Sequence, residues 1–195
     1  FNGNKIITTG GGGMIVTDDQ SIAKRARHLT TQAKSDPFEY DHDEIGYNYR
    51  LTNIQAAMGV AQMERLDEIM SIKRKNYGVY KELFSNIEEV KILDEKPWVR
   101  SNFWFYTIKV NNSHKRPLME FLLAKNIQVR PIWKLMHTLP MYKDSQAYEI
   151  NNAVEAYETC INLPCSVNLK QEDIKWIVKN IKDFLCLSRE NKCSN

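Results

Sequence analysis

Apolar residues recur at three- and four-residue steps through the middle of this chain, while short apolar runs dominate its second half. The clearest helical stretch is "LTNIQAAMGVAQMERLDEIMSIKRKNYGVYKELFSNI", where Ile54, Met58 and Ala61, and then Leu66, Ile69 and Ile72, keep that spacing. Its first half is apolar and rich in small residues, a mark of burial on several sides. Its second half carries charge and is wetter. The pattern predicts one long helix, kinked or broken near Gly59 or Gly78, that runs from one body of protein toward another. A domain boundary is expected at residues 76–86, giving domains 1–86 and 87–195.

Other elements follow from the same reading. "MIVTDD" is β-branched and stopped by two aspartates, which predicts a short strand over residues 14–19. Asp19 or Ser21 can cap a helix over "SIAKRARHLTTQ". A long polar and aromatic loop, "AKSDPFEYDHDEIGYNYR", comes next, and loops of that length are functional or mobile. Downstream, "VKIL", "FWFYTIKV", "IQVRPIW" and "INLP" read as extended pieces. They alternate with helices over "HKRPLMEFLLAKN", entered at Pro117, "QAYEINNAVEAYETC" and "KQEDIKWIVKNIKDFLC". Interleaved strands and helices predict a small α/β or α+β domain, followed by a frayed tail "SRENKCSN".

Composition changes this picture little. The 195 residues are 43% hydrophobic and 26% charged, with a net charge of +3 spread over mixed clusters. That balance speaks against a nucleic-acid footprint, and no apolar run is long enough for a membrane span. Cys160, Cys165, Cys186 and Cys193 form no metal-ligand or disulfide pattern, so no metal and a reduced, cytoplasmic setting are expected.

The chemistry-bearing stretch is "FNGNKIITTGGGGM". Four glycines supply backbone free to turn sharply, but they match neither a dinucleotide fingerprint nor a P-loop. Lys5 stands just before them between small polar residues and two isoleucines. A lysine partly desolvated in a tight loop is more easily deprotonated, and its neutral amine can attack an aldehyde. The alternative is a solvated surface lysine beside a flexible turn. If the turn is rigid, Gly11→Val is expected to strain it.

Three segments together resemble the DegT/DnrJ/EryC1/StrS family of pyridoxal phosphate (PLP)-dependent sugar aminotransferases. "FNGNKIITTGGGGMIVTDD" is similar to its lysine segment, "IGYNYRLTNIQAAMGVAQMERLDE" to its Asn-Tyr-Arg motif and following helix, and "VRPIWKLMHTLPMYK" to a small-domain loop. They occur in the family's order, and the likeness runs to about residue 187. It is fullest toward members that aminate UDP-linked 4-keto-6-deoxy-N-acetylhexosamines of the bacillosamine and legionaminic acid type.

The resemblance implies the C-terminal part of a fold-type I PLP-dependent transferase: the end of the large domain plus the small C-terminal α/β domain. Lys5 matches the lysine that holds PLP and then carries the proton between substrate carbon and cofactor. Asn48 matches an asparagine that reaches the PLP phosphate of a neighbouring subunit, which implies a homodimer. Arg50 either binds substrate phosphate or anchors its loop. Arg130, Trp133 and His137 match a sugar-nucleotide contact region, with glutamate as the amino donor. Thr52 reads as a helix cap. The family's phosphate-binding serine, the acid at the pyridine nitrogen and the stacking aromatic fall upstream of Phe1, so the chain alone is expected to be inactive. The competing reading is a non-catalytic remnant that folds or dimerises through the long helix and binds no cofactor.

Overall fold

The computed structural model describes residues 1–36 and 38–193, with the side chains of 190–193 left aside. The chain divides into two compact units, Phe1–Asp67 and Glu68–Asn195. The sequence reading put the division after residue 86. The helix α3 (Leu66–Phe84) explains the difference, because its Tyr77, Tyr80 and Phe84 are buried in the core of the second unit.

The first unit holds α1 (Gln20–Thr30) and α2 (Asn53–Glu64) joined by a long irregular loop. Asp19 caps α1 by accepting from the amides of Ser21 and Ile22, as the sequence suggested. Those bonds, with the Ser21 hydroxyl first among them, lower the Asp19 carboxyl below its usual range. Thr52 caps α2 and Gln55 answers back to its amide, a reciprocal capping box. The long helix is therefore broken, but at Arg65 rather than at Gly59 or Gly78, both of which are helical. The strand expected over residues 14–19 does not form. No ladder partner lies beside it among the described residues, and Met14, Ile15 and Val16 are exposed.

The second unit is a four-stranded antiparallel sheet in the order β1-β2-β4-β3, so it is α+β rather than parallel α/β. Its strands are β1 (Lys91–Ile92), β2 (Tyr106–Lys109), β3 (Arg130–Pro131) and β4 (Cys160–Leu163). Along β2, Tyr106 and Ile108 point inward and Thr107 and Lys109 do not, the period-two pattern of a strand with one covered face. Tyr106 opposes Leu163 and Ile108 opposes Ile161, which builds a continuous apolar row. The central strand β4 is buried throughout, and Pro131 sits on edge strand β3 where a missing N–H is tolerated.

Helices α4 (Asn112–Ala124), α5 (Asn151–Thr159) and α6 (Gln171–Cys193) complete the unit. Asn111, not Pro117, opens α4, because its side chain accepts from the Ser113 amide at 3.0 Å, and Pro117 lies inside the helix. The frayed tail expected after Leu187 is helical to Cys193; Ser194 and Asn195 lie outside the described residues. Leu118, Leu122, Ile174 and Ile181 close the core against Ile161. Cys160, Cys165 and Cys186 are free thiols. Among the described residues no helix is long and apolar enough to cross a membrane.

One cation enters this core. Lys73 is buried, and its ammonium donates to the Cys165 carbonyl at 2.8 Å and the Trp104 carbonyl at 3.3 Å. Burial lowers its pKa, because two neutral acceptors replace hydration only in part. Those bonds fix the segment before β2, where Phe103 takes a left-handed φ of 45° and stacks on Tyr77 with ring centroids 3.9 Å apart.

The apolar row across β2 and β4 is the centre of this unit, so Ile161→Ala should cost about 2–5 kcal/mol in urea unfolding. A loss below about 1 kcal/mol would show that the row collapses around the cavity and is not the main support.

Candidate functional site

In the first unit the N-terminal segment folds back on itself. The amide of Lys5 donates to the Asn2 carbonyl at 3.1 Å, and that of Thr9 donates to the Phe1 carbonyl at 3.1 Å. The Phe1 nitrogen stands 2.9 Å from the Gly12 carbonyl, so the Lys5 turn and the glycine run are two sides of one closed loop. Thr8 and Thr9 hold its base. The Thr8 hydroxyl donates to the Phe1 carbonyl at 3.0 Å, and the Thr8 amide donates to Gln62 Oε1 on α2 at 2.8 Å. Thr9 is buried, and its methyl stands 3.0 Å from where a Cβ on Gly59 would lie.

The glycines are needed here, but not all equally. Gly10 and Gly12 adopt φ of 77° and 87°, which L side chains rarely take. A Cβ on Gly12 would also stand 2.8 Å from Leu51 Cδ1. Gly11 has no positive φ, and a Cβ there meets only Gln55 Nε2 at 4.0 Å. The demand anticipated at Gly11 therefore belongs to its two neighbours.

Asn48 and Arg50 arrive at the same place from the long loop. Three backbone bonds dock this loop on the end of α1: Tyr47 N to Leu29 O at 2.7 Å, Tyr49 N to Thr30 O and Gln32 N to Tyr47 O, both at 3.1 Å. Thr31 and Asn48 form an isolated antiparallel bridge. The extended segment leaves the rings of Tyr47 and Tyr49 stacked, 4.9 Å between centroids, and both Asn48 and Arg50 exposed. An open cavity of about 450 Å³ is lined by Gly12, Gly13, Asn48, Tyr49, Arg50, Leu51 and Gln55. The structure thus brings together Asn48, Arg50 and the glycine run.

Lys5 is not among the residues lining this cavity, and its side chain is exposed. The described residues of this unit do not enclose it in the way the sequence reading anticipated.

The remaining candidates lie in the second unit. Arg130 on β3 opposes Asn162 of β4, whose side-chain Oδ1 accepts from the Thr107 hydroxyl at 2.7 Å. All three therefore belong to one sheet face. Trp133 is exposed and rests on Trp104 and Phe105, with ring centroids 5.6 and 5.4 Å away. The Phe105 contact is edge-on, a favourable aromatic geometry. His137 sits half-buried in a short 3₁₀ turn, Met136–Thr138. The sequence reading missed Gln55, Gln62, Trp104 and Phe105. The two glutamines stand seven residues apart, on one face of an otherwise apolar helix, and that pattern was a usable signal.

The donor set around the cavity suits an anion. It offers an amide side chain, a guanidinium and glycine backbone that a ligand can approach closely, the chemistry expected of a phosphate cradle.

Comparison with known proteins gives a consistent answer. Residues 1–182 match the DegT/DnrJ/EryC1/StrS aminotransferase family. A GDP-perosamine synthase of Escherichia coli O157:H7 is 38% identical over 186 residues, covering 94% of this chain and 50% of that protein. A UDP-4-amino-4,6-dideoxy-N-acetyl-beta-L-altrosamine transaminase of Campylobacter jejuni is 25% identical, covering 99% of this chain and 53% of that protein. Among solved structures, the aminotransferase TlmJ from Streptoalloteichus hindustanus superimposes with a TM-score of 0.86 at 21% identity, covering 94% of this chain and 50% of its own. The chain spans about half the length of these relatives.

If the closed loop depends on left-handed glycine, Gly12→Val should destabilise the first unit by about 1–2 kcal/mol or more, while Gly11→Val stays within about 0.5 kcal/mol. Chemical denaturation of the two variants compares them directly. Equal losses would mean that the run is only a spacer.

Proposed function

Because the chain belongs to the DegT/DnrJ/EryC1/StrS aminotransferase family, we propose that it forms the lysine-bearing half of a PLP-dependent transaminase acting on a nucleotide-linked 4-keto-6-deoxy sugar. Glutamate is the proposed amino donor. The observation that carries this reading is the cavity that joins Asn48, Arg50 and the glycine turn, tied through Phe1 to the Lys5 loop.

Each residue has a part that its chemistry supports. Asn48 donates its amide hydrogens to a phosphate oxygen, and Arg50 either adds a bidentate grip on phosphate or braces the segment. Lys5 would hold the cofactor through its side-chain amine and, when not so engaged, would hold and return a proton beside the reacting carbon. The cofactor itself supplies an electron-withdrawing ring that lets a proton leave the amine-bearing carbon. Arg130, Trp133 and His137 are the proposed contacts for the nucleotide sugar. Arg130 suits a diphosphate, and the exposed ring of Trp133, buttressed from behind, suits stacking.

A homodimer fits this arrangement. Asn48 shares its cavity with the glycines and not with Lys5, as expected if it serves the phosphate bound by a second copy. Ile54, Met58, Val60 and Met63 on α2 are exposed, and a dimer or the remainder of a large domain would cover such a surface. That exposed face is also what favours the second reading, in which the chain associates through this helix and carries no cofactor.

Incubation with PLP followed by borohydride reduction separates the two. The proposal expects a phosphopyridoxyl group on the peptide containing Lys5, lost in Lys5→Ala and reduced at limiting PLP in Asn48→Ala. Labelling spread over surface lysines, or none, contradicts it. Residues 1–195 alone are expected to give no sustained amination of a UDP-linked 4-keto sugar with glutamate. Sustained turnover would show that the acid and stacking aromatic the family resemblance calls for are dispensable.

A further inference from the structure

Behind the Asn48 segment lies a cluster that the cavity does not use. His28, near the end of α1, donates from Nε2 to Asp43 Oδ1 at 2.7 Å and lies 3.4 Å from Glu44 Oε1. Arg25, about one turn earlier, grips both oxygens of Glu44 with its two terminal nitrogens. The ligand atoms of His28, Asp43 and Glu44 all lie within 4.8 Å of one another, a set that would also suit a divalent cation. Arg25 decides between the two readings. Its guanidinium already brings positive charge to Glu44 and engages both carboxylate oxygens, which leaves an ion-paired cluster rather than a metal centre.

The cluster acts on a strained piece of backbone. Gln32 and Ala33 both take left-handed conformations, φ of 68° and 51°, which are unfavourable for residues with side chains. The Ala33 amide donates to the His28 carbonyl at 2.9 Å, and the Asp43 amide donates to the Ala33 carbonyl at 3.2 Å. Gly46 then passes so close that a Cβ would stand 2.3 Å from the Ala33 nitrogen. Beyond it the three backbone bonds described above dock residues 47–49 at the end of α1, with no regular strand ladder among the described residues. A short, strained, unladdered crossing of this kind opens easily unless side chains close it.

We propose that the Arg25–Glu44 and His28–Asp43 pairs form a positioning clasp that holds residues 43–49 on the end of α1, so that Asn48 and Arg50 stand preset for a phosphate group. The proposal rests on the phosphate reading of Asn48 given above. The four clasp residues are not among those lining the Asn48 cavity and act through the backbone they fix. Single exposed ion pairs contribute little, but a bidentate arginine joined to a second pair makes a network in which one removal loosens both ends.

The test uses charge reversal and its repair. Glu44→Arg sets two guanidinium groups against each other, and the double variant Arg25→Glu/Glu44→Arg restores the pair with its polarity exchanged. Two quantities are read: hydrogen exchange of the Tyr47 and Tyr49 amides in the PLP-free protein, and PLP affinity by absorbance titration. Glu44→Arg should speed exchange at both amides and weaken PLP binding about fivefold, and the double variant should return both to within about twofold of wild type. Unchanged exchange in Glu44→Arg overturns the clasp. Faster exchange with unchanged PLP affinity overturns its positioning role. Wild-type protein that takes up no PLP overturns the phosphate reading of Asn48, and the clasp's purpose with it, whatever the exchange data show.

Discussion

The candidate site depends on a few backbone hydrogen bonds between the end of α1 and the Tyr47–Tyr49 segment. Tyr47 N to Leu29 O and Tyr49 N to Thr30 O turn a long polar loop into one extended strand-like passage. Side chains alternate along extended backbone, so bonding the two tyrosine amides to α1 fixes where Asn48, between them, can project. On the other side of the cavity, the Phe1–Gly12 contact does the same for the glycine run. A phosphate-binding group must be held in place before the ligand arrives, or ordering it consumes binding energy. Here the ordering is done by main-chain bonds and two left-handed glycines, with the Arg25–Glu44 and His28–Asp43 pairs as the proposed clasp.

The second unit solves a different problem. Its antiparallel sheet is built on β4, buried along its whole length, with Tyr106 and Ile108 of β2 completing the apolar row. That core fixes the edge strand carrying Arg130 and the aromatic group of Trp104, Phe105 and Trp133. Buried Lys73 ties the backbone at Trp104 and Cys165 from beneath, so one desolvated cation joins the sheet to α3. In both units rigid elements carry the candidate contact residues and loops present them.

Much of this was legible in the sequence, and the misses have physical causes. Asp19 and Thr52 were readable as caps because capping needs only the right side chain next to a periodic run. The strand around Met14–Val16 was misread because β-branched residues report a preference, whereas a strand also needs a neighbour to bond. The break at Arg65 was missed because the chain carries no glycine or proline there to announce it. Pro117 misled for the opposite reason: it is a strong signal of a helix start, but Asn111 had already supplied the cap. At the site, the triple of Lys5, Asn48–Arg50 and the Arg130–His137 segment pointed to the family, and residues 1–182 match that family. The His28–Asp43–Glu44 cluster was invisible, since it pairs a helix with a loop through a fold-back that sequence spacing does not encode.

The central claim is that an exposed lysine and a preset asparagine belong to one phosphate-bearing cofactor held between two copies of this fold. The most direct measurement is a crystal structure of the protein loaded with PLP. The account predicts Lys5 Nζ bonded to the cofactor, with the Asn48 amide of a second copy within about 3 Å of a phosphate oxygen. A cofactor bound away from Lys5, or a phosphate met by no Asn48 from either copy, would contradict it.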